Sequence, residues 1–215
     1  MFDDYHVVPE LDEEYAAQIA AGYYDLHAEQ AINEFIYERL QSFYLQNNEV
    51  IASPLASLSR ARELVGLNQN AAALVFAVTA IEVGLKLGFI KAIVYGSVHS
   101  ETAAGIIADM SYSHAGFERL RDLVFQILSE VNLDLRAYRR AHADSTLWEE
   151  IIEVQRRRNA IVHRAQDGTE EEAQSAIAIA SSLLEDIFPA VIGNIGLHLH
   201  DGSRVCGNNE CRPVV

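Results

Sequence analysis

Arg158, Asn159 and His163 have the side-chain types that cutting RNA without a metal requires, within the run Gln155-Arg156-Arg157-Arg158-Asn159-Ala160-Ile161-Val162-His163-Arg164. An imidazole titrates near neutral pH and can take a proton from a 2′-hydroxyl or give one to the leaving 5′-oxygen. A guanidinium stabilises the charge that gathers on the phosphate, and an amide can hold either partner in place. We assign His163 to acid/base work, Arg158 to phosphate stabilisation and Asn159 to positioning, with Arg156, Arg157 and Arg164 as flanking phosphate contacts. DNA lacks the hydroxyl and is not a substrate by this route. The competing reading is that the same three residues cap a helix and satisfy neighbouring carbonyls.

A second set lies in the tail, where His198, His200, Cys206 and Cys211 place two imidazoles and two thiols within 14 residues. Those are the donors of a structural zinc site. The segment reads as a β-hairpin, Leu197 to His200 and Ser203 to Cys206, joined by Asp201-Gly202. Ideal two-residue pairing sets His200 against Ser203 and His198 against Val205. Cys206 then falls on the opposite face with Leu197 and Leu199, which argues against zinc; a bent or bulged tail would still gather the four, and free thiols are the other reading.

The catalytic candidates must be positioned by a helix that begins at about Thr146. Leu147, Trp148, Ile151, Ile152, Val154, Ile161 and Val162 form one broad apolar stripe on it, centred near Ile151 and Val162. Arg158 falls inside that stripe, where a guanidinium needs an anion, a carbonyl or a subunit boundary. Glu82, on the most apolar helix of the chain, is the candidate supporting carboxylate. It is also four residues from Lys86 and can pair there instead. Five residues of helix turn Arg158 and His163 about 140° apart, so either the helix ends near His163 and the ring swings round, or residues from two subunits meet.

The spacing Arg158-Asn159-x-x-x-His163 resembles the Arg-x4-His signature of the HEPN family, helical domains of prokaryotic toxin and antiviral ribonucleases. The helix carrying Ala80-Ile81-Glu82-Val83-Gly84-Leu85-Lys86 is similar to that family's early core helix, and a small-residue helix follows the motif; the similarity spans about residues 53 to 192. The resemblance implies an all-α, HEPN-like helical bundle that pairs as a homodimer through the motif helix, so that two copies of the motif line one cleft. It implies a metal-independent endoribonuclease leaving 2′,3′-cyclic phosphate, acting as a toxin or defence effector with RNA as substrate and an antitoxin or defence-complex protein as partner. No cofactor is expected for catalysis. The alternative is a non-catalytic HEPN-like dimerisation or nucleotide/RNA-sensing module. Toxins of one common type in the family carry a Tyr two residues after the motif His; here that position is Ala165, so modification by a nucleotidyltransferase antitoxin is not expected.

Composition bounds these readings. The chain of 215 residues is 50% hydrophobic with a formal charge of −15, which disfavours a general nucleic-acid binder. The charge is uneven, however. Residues 1–50 hold 11 acids and one base, Arg39, whereas Arg119 to Arg164 holds nine Arg and seven acids, so the motif lies in the most basic part of the chain. The longest strongly apolar run, Ala71 to Ile81, is 11 residues, too short to span a bilayer. No secretory signal is visible at the amino terminus, and the expected location is cytoplasmic.

Three parts are expected: an acidic N-terminal helical extension (1–50), a HEPN-like helical domain (51–193) and a C-terminal hairpin and cysteine tail (194–215). Helical spacing predicts one long or two shorter helices from Leu11 to about Leu45 with Gly22 as the weak point. Further helices are expected from Ser53 to Gly66, with Ser53 capping; from Asn68 or Asn70 to about Tyr95; from Glu101 to Met110; and from Ser113 to Leu133. Arg136-Ala137-Tyr138-Arg139-Arg140 reads as a surface turn or an RNA backbone contact. Asp167-Gly168 is expected to end the motif helix, Thr169 and Glu172 to make a capping box, and Pro189, Gly193 and Gly196 to end the next helix.

Overall fold

The computed structural model describes residues 13–98, 100, 102–107, 121–122, 124–125, 128–129, 134–207 and 211. The segment expected to be irregular at 1–10, and most of the helix expected between Ser113 and Leu133, lie outside them. The described residues form helices with a two-stranded hairpin at the C-terminal end, as the sequence pattern predicts. The chain divides into two compact units, Met1–Glu38 and Arg39–Val215. Helix α1 runs unbroken from Glu13 to Gln46 through Gly22. In the first unit Tyr23 and His27, four residues apart, stack at 6.4 Å.

The second unit starts inside α1, earlier than the boundary expected at residue 51. Arg39 there donates to the carbonyls of Tyr95 and Val98, both at 2.8 Å, satisfying the open end of a neighbouring helix. Helix α2 (Ala52–Gly66) is entered without a side-chain cap. Ser53 lies in the first turn and accepts on its carbonyl from the Ser57 hydroxyl at 3.1 Å. Helix α3 begins at Asn70, also with no side-chain cap, after Asn68 adopts a left-handed φ of 58°. Turn geometry therefore sets both starts in place of the expected caps.

Helix α3 reaches Ser97, its later part carrying the wide turn Gly84–Lys91. It packs against α2, against α4 (Leu147–Arg164) and against α5 (Glu170–Asn194), the position expected of a helix apolar on every side. Phe89 meets Phe188 edge-on at 5.7 Å, and the Tyr44 hydroxyl donates to the Gly88 carbonyl at 2.7 Å. Burial holds that phenol well above its ordinary pKa. Ala173, Ala176 and Ala180 are fully buried on α5 and let it lie close to α3. Helix α5 passes through Pro189 to Asn194; the wide turn Ser182–Ile187 immediately before it accommodates the missing donor. Both α3, 28 residues, and α5, 25 residues, are long and apolar enough to cross a bilayer, longer than the 11-residue run suggested. Of their most apolar windows 61% and 56% is nonetheless buried inside the protein, as in core helices.

Residues 102–107 are helical, and Val124, Phe125 and Leu128 are buried. Strands β1 (His198–His200) and β2 (Arg204–Cys206) pair antiparallel.

Candidate functional site

Helix α4 carries the motif, and its start is strongly specified. Thr146 accepts from the Glu149 amide while the Glu149 carboxylate accepts from the Thr146 amide at 2.8 Å, a capping box the sequence spells as Thr146-x-x-Glu149. Leu147, Trp148, Ile151 and Val154 are buried. The stripe then runs out of cover: Ile161 is half-buried and Val162 is 52% exposed. The helix ends at Arg164, three residues before Asp167, because Ala165 takes a left-handed φ of 51°. Gly168 does different work, since a Cβ there would sit 2.8 Å from the Ala71 backbone.

Arg158 leaves the apolar face toward α3 and pairs with the Glu82 carboxylate, the two side chains 22% and 21% exposed. Gln155 donates to the same carboxylate at 3.3 Å. The guanidinium in the stripe has thus found the anion the sequence offered it. Among the described residues the bond falls on one Nη of Arg158, which leaves other guanidinium donors for a ligand.

Arg157 is held at the corner between α4 and α5. Its Nε donates to Glu172 at 2.6 Å and its Nη1 to Gln166 at 2.7 Å, and the Asp167 carbonyl accepts from Nη2. Glu172 also closes the expected capping box with Thr169. The hydrogen bond from Arg157, then that from the Thr169 backbone, holds its carboxyl below the ordinary value of 4.5. Arg156 is exposed, 3.7 Å from Glu153. Asn159, His163 and Arg164 are exposed, and among the described residues none of these three side chains has a hydrogen-bond or ion-pair partner. The structure therefore sets Arg158 into the body and His163 on the outside, as their angular separation requires.

The other basic stretch is occupied structurally. Arg140 makes a two-pronged pair with Glu150 at 2.6 and 2.8 Å, Arg139 donates to the Asp144 carbonyl, and Arg136 lies 5.8 Å over the Phe125 ring. A cleft of about 800 Å³ beside α4 is lined by Arg121 and Arg156 but also by Glu149, Glu150 and Glu153. None of the three assigned catalytic residues lines it.

In the tail the register differs from expectation and reverses its consequence. Cα partners are His198 with Cys206, Leu199 with Val205 and His200 with Arg204, so the loop is Asp201-Gly202-Ser203. A slip of one residue turns every side chain to the other face, and Cys206 now shares a face with His198 and His200. The cause is docking: Val205 is 2% exposed, and its amide donates to the Asn48 carbonyl at 2.8 Å. Asp201 and Gly202 take left-handed φ values of 51° and 71°.

One donor atom each from His198, Cys206 and Cys211 lies within 4.8 Å of the others, a cluster able to hold a metal ion. The thiols are not joined in a disulfide. The His198 Nε2 is buried with no hydrogen-bond partner among the described residues, which is costly for a polar atom. Burial, then the neighbouring Cys206 and Asp201, pushes the Cys211 thiol up. His200 Nδ1 sits 2.6 Å from Cys211 Sγ. Asp201, 3.0 Å from His200 Nε2, is a participant missed in the sequence; its adjacency to His200 at the turn was the available signal.

No family model, curated protein or solved structure matches the chain.

Proposed function

We propose that the protein is a metal-independent endoribonuclease of the HEPN type, acting as a cytoplasmic homodimer in which the last turns of two α4 helices close over RNA. The observation that carries the reading is the exposed end of α4. Asn159, Val162, His163 and Arg164 face solvent there, beside a guanidinium held by Glu82. An apolar side chain at 52% exposure next to an imidazole without a partner fits a surface that a second copy covers.

In that dimer His163 takes the 2′-hydroxyl proton, and Arg158, anchored at one Nη by Glu82, turns its remaining donors to the phosphate. Asn159 holds the phosphate or the ring. A protonated imidazole, His163 of either copy, delivers the proton to the 5′-oxygen, leaving a 2′,3′-cyclic phosphate. Arg156 and Arg164 extend the phosphate contact, whereas Arg157 supports it indirectly by fixing the α4–α5 corner. A toxin or defence role, checked by an antitoxin or defence-complex protein, accompanies this chemistry.

A second reading draws on the commitment of Arg157 and Arg158 to Glu172 and Glu82: a dimerising module that senses RNA or nucleotides without cutting. Purified protein incubated with total RNA in EDTA separates the two. Cleavage leaving cyclic phosphate ends, lost in His163→Ala and Arg158→Ala, is expected of the enzyme. Intact RNA with dimeric wild-type protein overturns it in favour of the module.

We also propose that the tail cluster of His198, Cys206 and Cys211 holds a structural zinc ion. Its support is the donor set, two thiols and an imidazole being a zinc chemistry, with one donor atom from each within 4.8 Å of the others.

A further inference from the structure

Resting on that zinc reading, we infer that His200 completes the site through Nδ1, making it a closed four-ligand centre of two imidazoles and two thiolates that Asp201 orients. His198 and His200 are two apart on β1 and so project from one face of the strand. Cys206 lies directly across from His198. Cys211 links the halves: its Sγ belongs to the cluster with His198 and Cys206, and it is also 2.6 Å from His200 Nδ1.

Zinc bonds of about 2.0–2.1 Å to nitrogen and about 2.3 Å to sulfur put tetrahedral ligand atoms roughly 3.5 Å apart. The His200–Cys211 pair opens by about 1 Å to admit the ion, and the three-residue cluster, now within 4.8 Å, contracts. Asp201 Oδ2 lies 3.0 Å from His200 Nε2, where it would accept from an Nε2–H and leave the Nδ1 lone pair to the ion. A carboxylate behind a ligating imidazole is the usual second partner in such centres.

With four places filled from the chain, no position remains for water, and the ion acts structurally. It would tie β1, β2 and Cys211 into one unit. That unit is pinned to the corner after α1 by the Val205 amide on the Asn48 carbonyl and by Arg204 3.3 Å from Glu49.

The test titrates Co²⁺ into the reduced, metal-free full chain and reads the visible d–d and sulfur-to-metal bands, with Zn²⁺ competition for affinity. Wild-type protein is expected to bind one ion with a four-coordinate, two-thiolate spectrum. His200→Ala is expected to change the d–d envelope as water enters, and to bind at least tenfold more weakly. Asp201→Asn, which tolerates the left-handed turn, is expected to weaken binding about tenfold with the spectrum kept. An unchanged spectrum and affinity in His200→Ala overturns the fourth ligand while leaving the three-residue site standing. No uptake of Co²⁺ by wild-type protein overturns both. Should His200→Ala misfold by circular dichroism, the ¹¹³Cd resonance of cadmium-loaded wild-type protein decides between a two-nitrogen and a nitrogen–water environment, and the latter overturns the inference.

Discussion

At the tail, donors from one hairpin and Cys211 fall together; at the end of α4, residues assigned to one reaction leave the helix on different sides. The contrast follows from geometry. A hairpin sets side chains two apart, and side chains across the ladder, on one face, so His198, His200 and Cys206 share a face once the register is the observed one. A helix advances about 100° per residue, so Arg158 and His163 leave it about 140° apart, and the proposed nuclease joins them through a second copy. The tail donors all come from one chain, whereas the proposed nuclease draws on two copies, and the two are expected to fail independently.

The largest test of that independence is His163→Ala. Loss of an acid/base group is expected to lower RNA cleavage by about 10²–10⁴-fold. Melting should move by no more than about 0.5 kcal/mol, since the side chain is exposed without a partner. Metal acts on the opposite region. Zinc at a free concentration of 100 times its Kd should slow amide exchange of the Leu199–Val205 pair by about 100-fold while leaving cleavage unchanged; equal rates with and without metal would remove the tail from the comparison. Next comes Val162→Asp. A charge placed on the uncovered stripe is expected to weaken self-association about tenfold to a hundredfold, as for losing one buried apolar contact, read by sedimentation across a dilution series.

Glu82→Ala leaves Arg158 half-buried without its anion. A loss of about 2 kcal/mol in urea unfolding is expected, together with reduced cleavage, because the guanidinium is no longer held. The smallest effect concerns Glu172. Its carboxyl titrates lower folded than unfolded, so the stabilisation it adds is present above the ordinary value of 4.5 and vanishes as pH drops through the folded value. Wild-type stability should fall over that acid range, and Glu172→Gln, weaker at neutral pH, should show the flatter profile.

Much of the scaffold was legible. Apolar patterning marked α3, α4 and α5, the start at Ser53 marked α2 to within a residue, and the Thr169–Glu172 box was visible as a four-residue pattern. So was the Glu82–Arg158 pair, because a cation inside an apolar stripe demands an anion and the most apolar helix offered one. What escaped the sequence depended on contacts distant in the chain. The hairpin register turned on Val205 docking at Asn48, 157 residues earlier, and no local pattern encodes that. The role of Arg157 depended on how sharply the chain turns between α4 and α5, which left-handed Ala165 sets without a glycine to announce it. The helix passing through Pro189 needed a wide turn before it, invisible in periodicity.

Specific cleavage activity and dimer fraction, measured on the same dilution series of wild-type protein with one RNA, bear most directly on the composite site. Activity per protomer is expected to fall in step with the dimer fraction and to vanish with it. Full-rate cleavage by monomers, or dimers that never cut RNA, would contradict a nuclease built from two α4 ends.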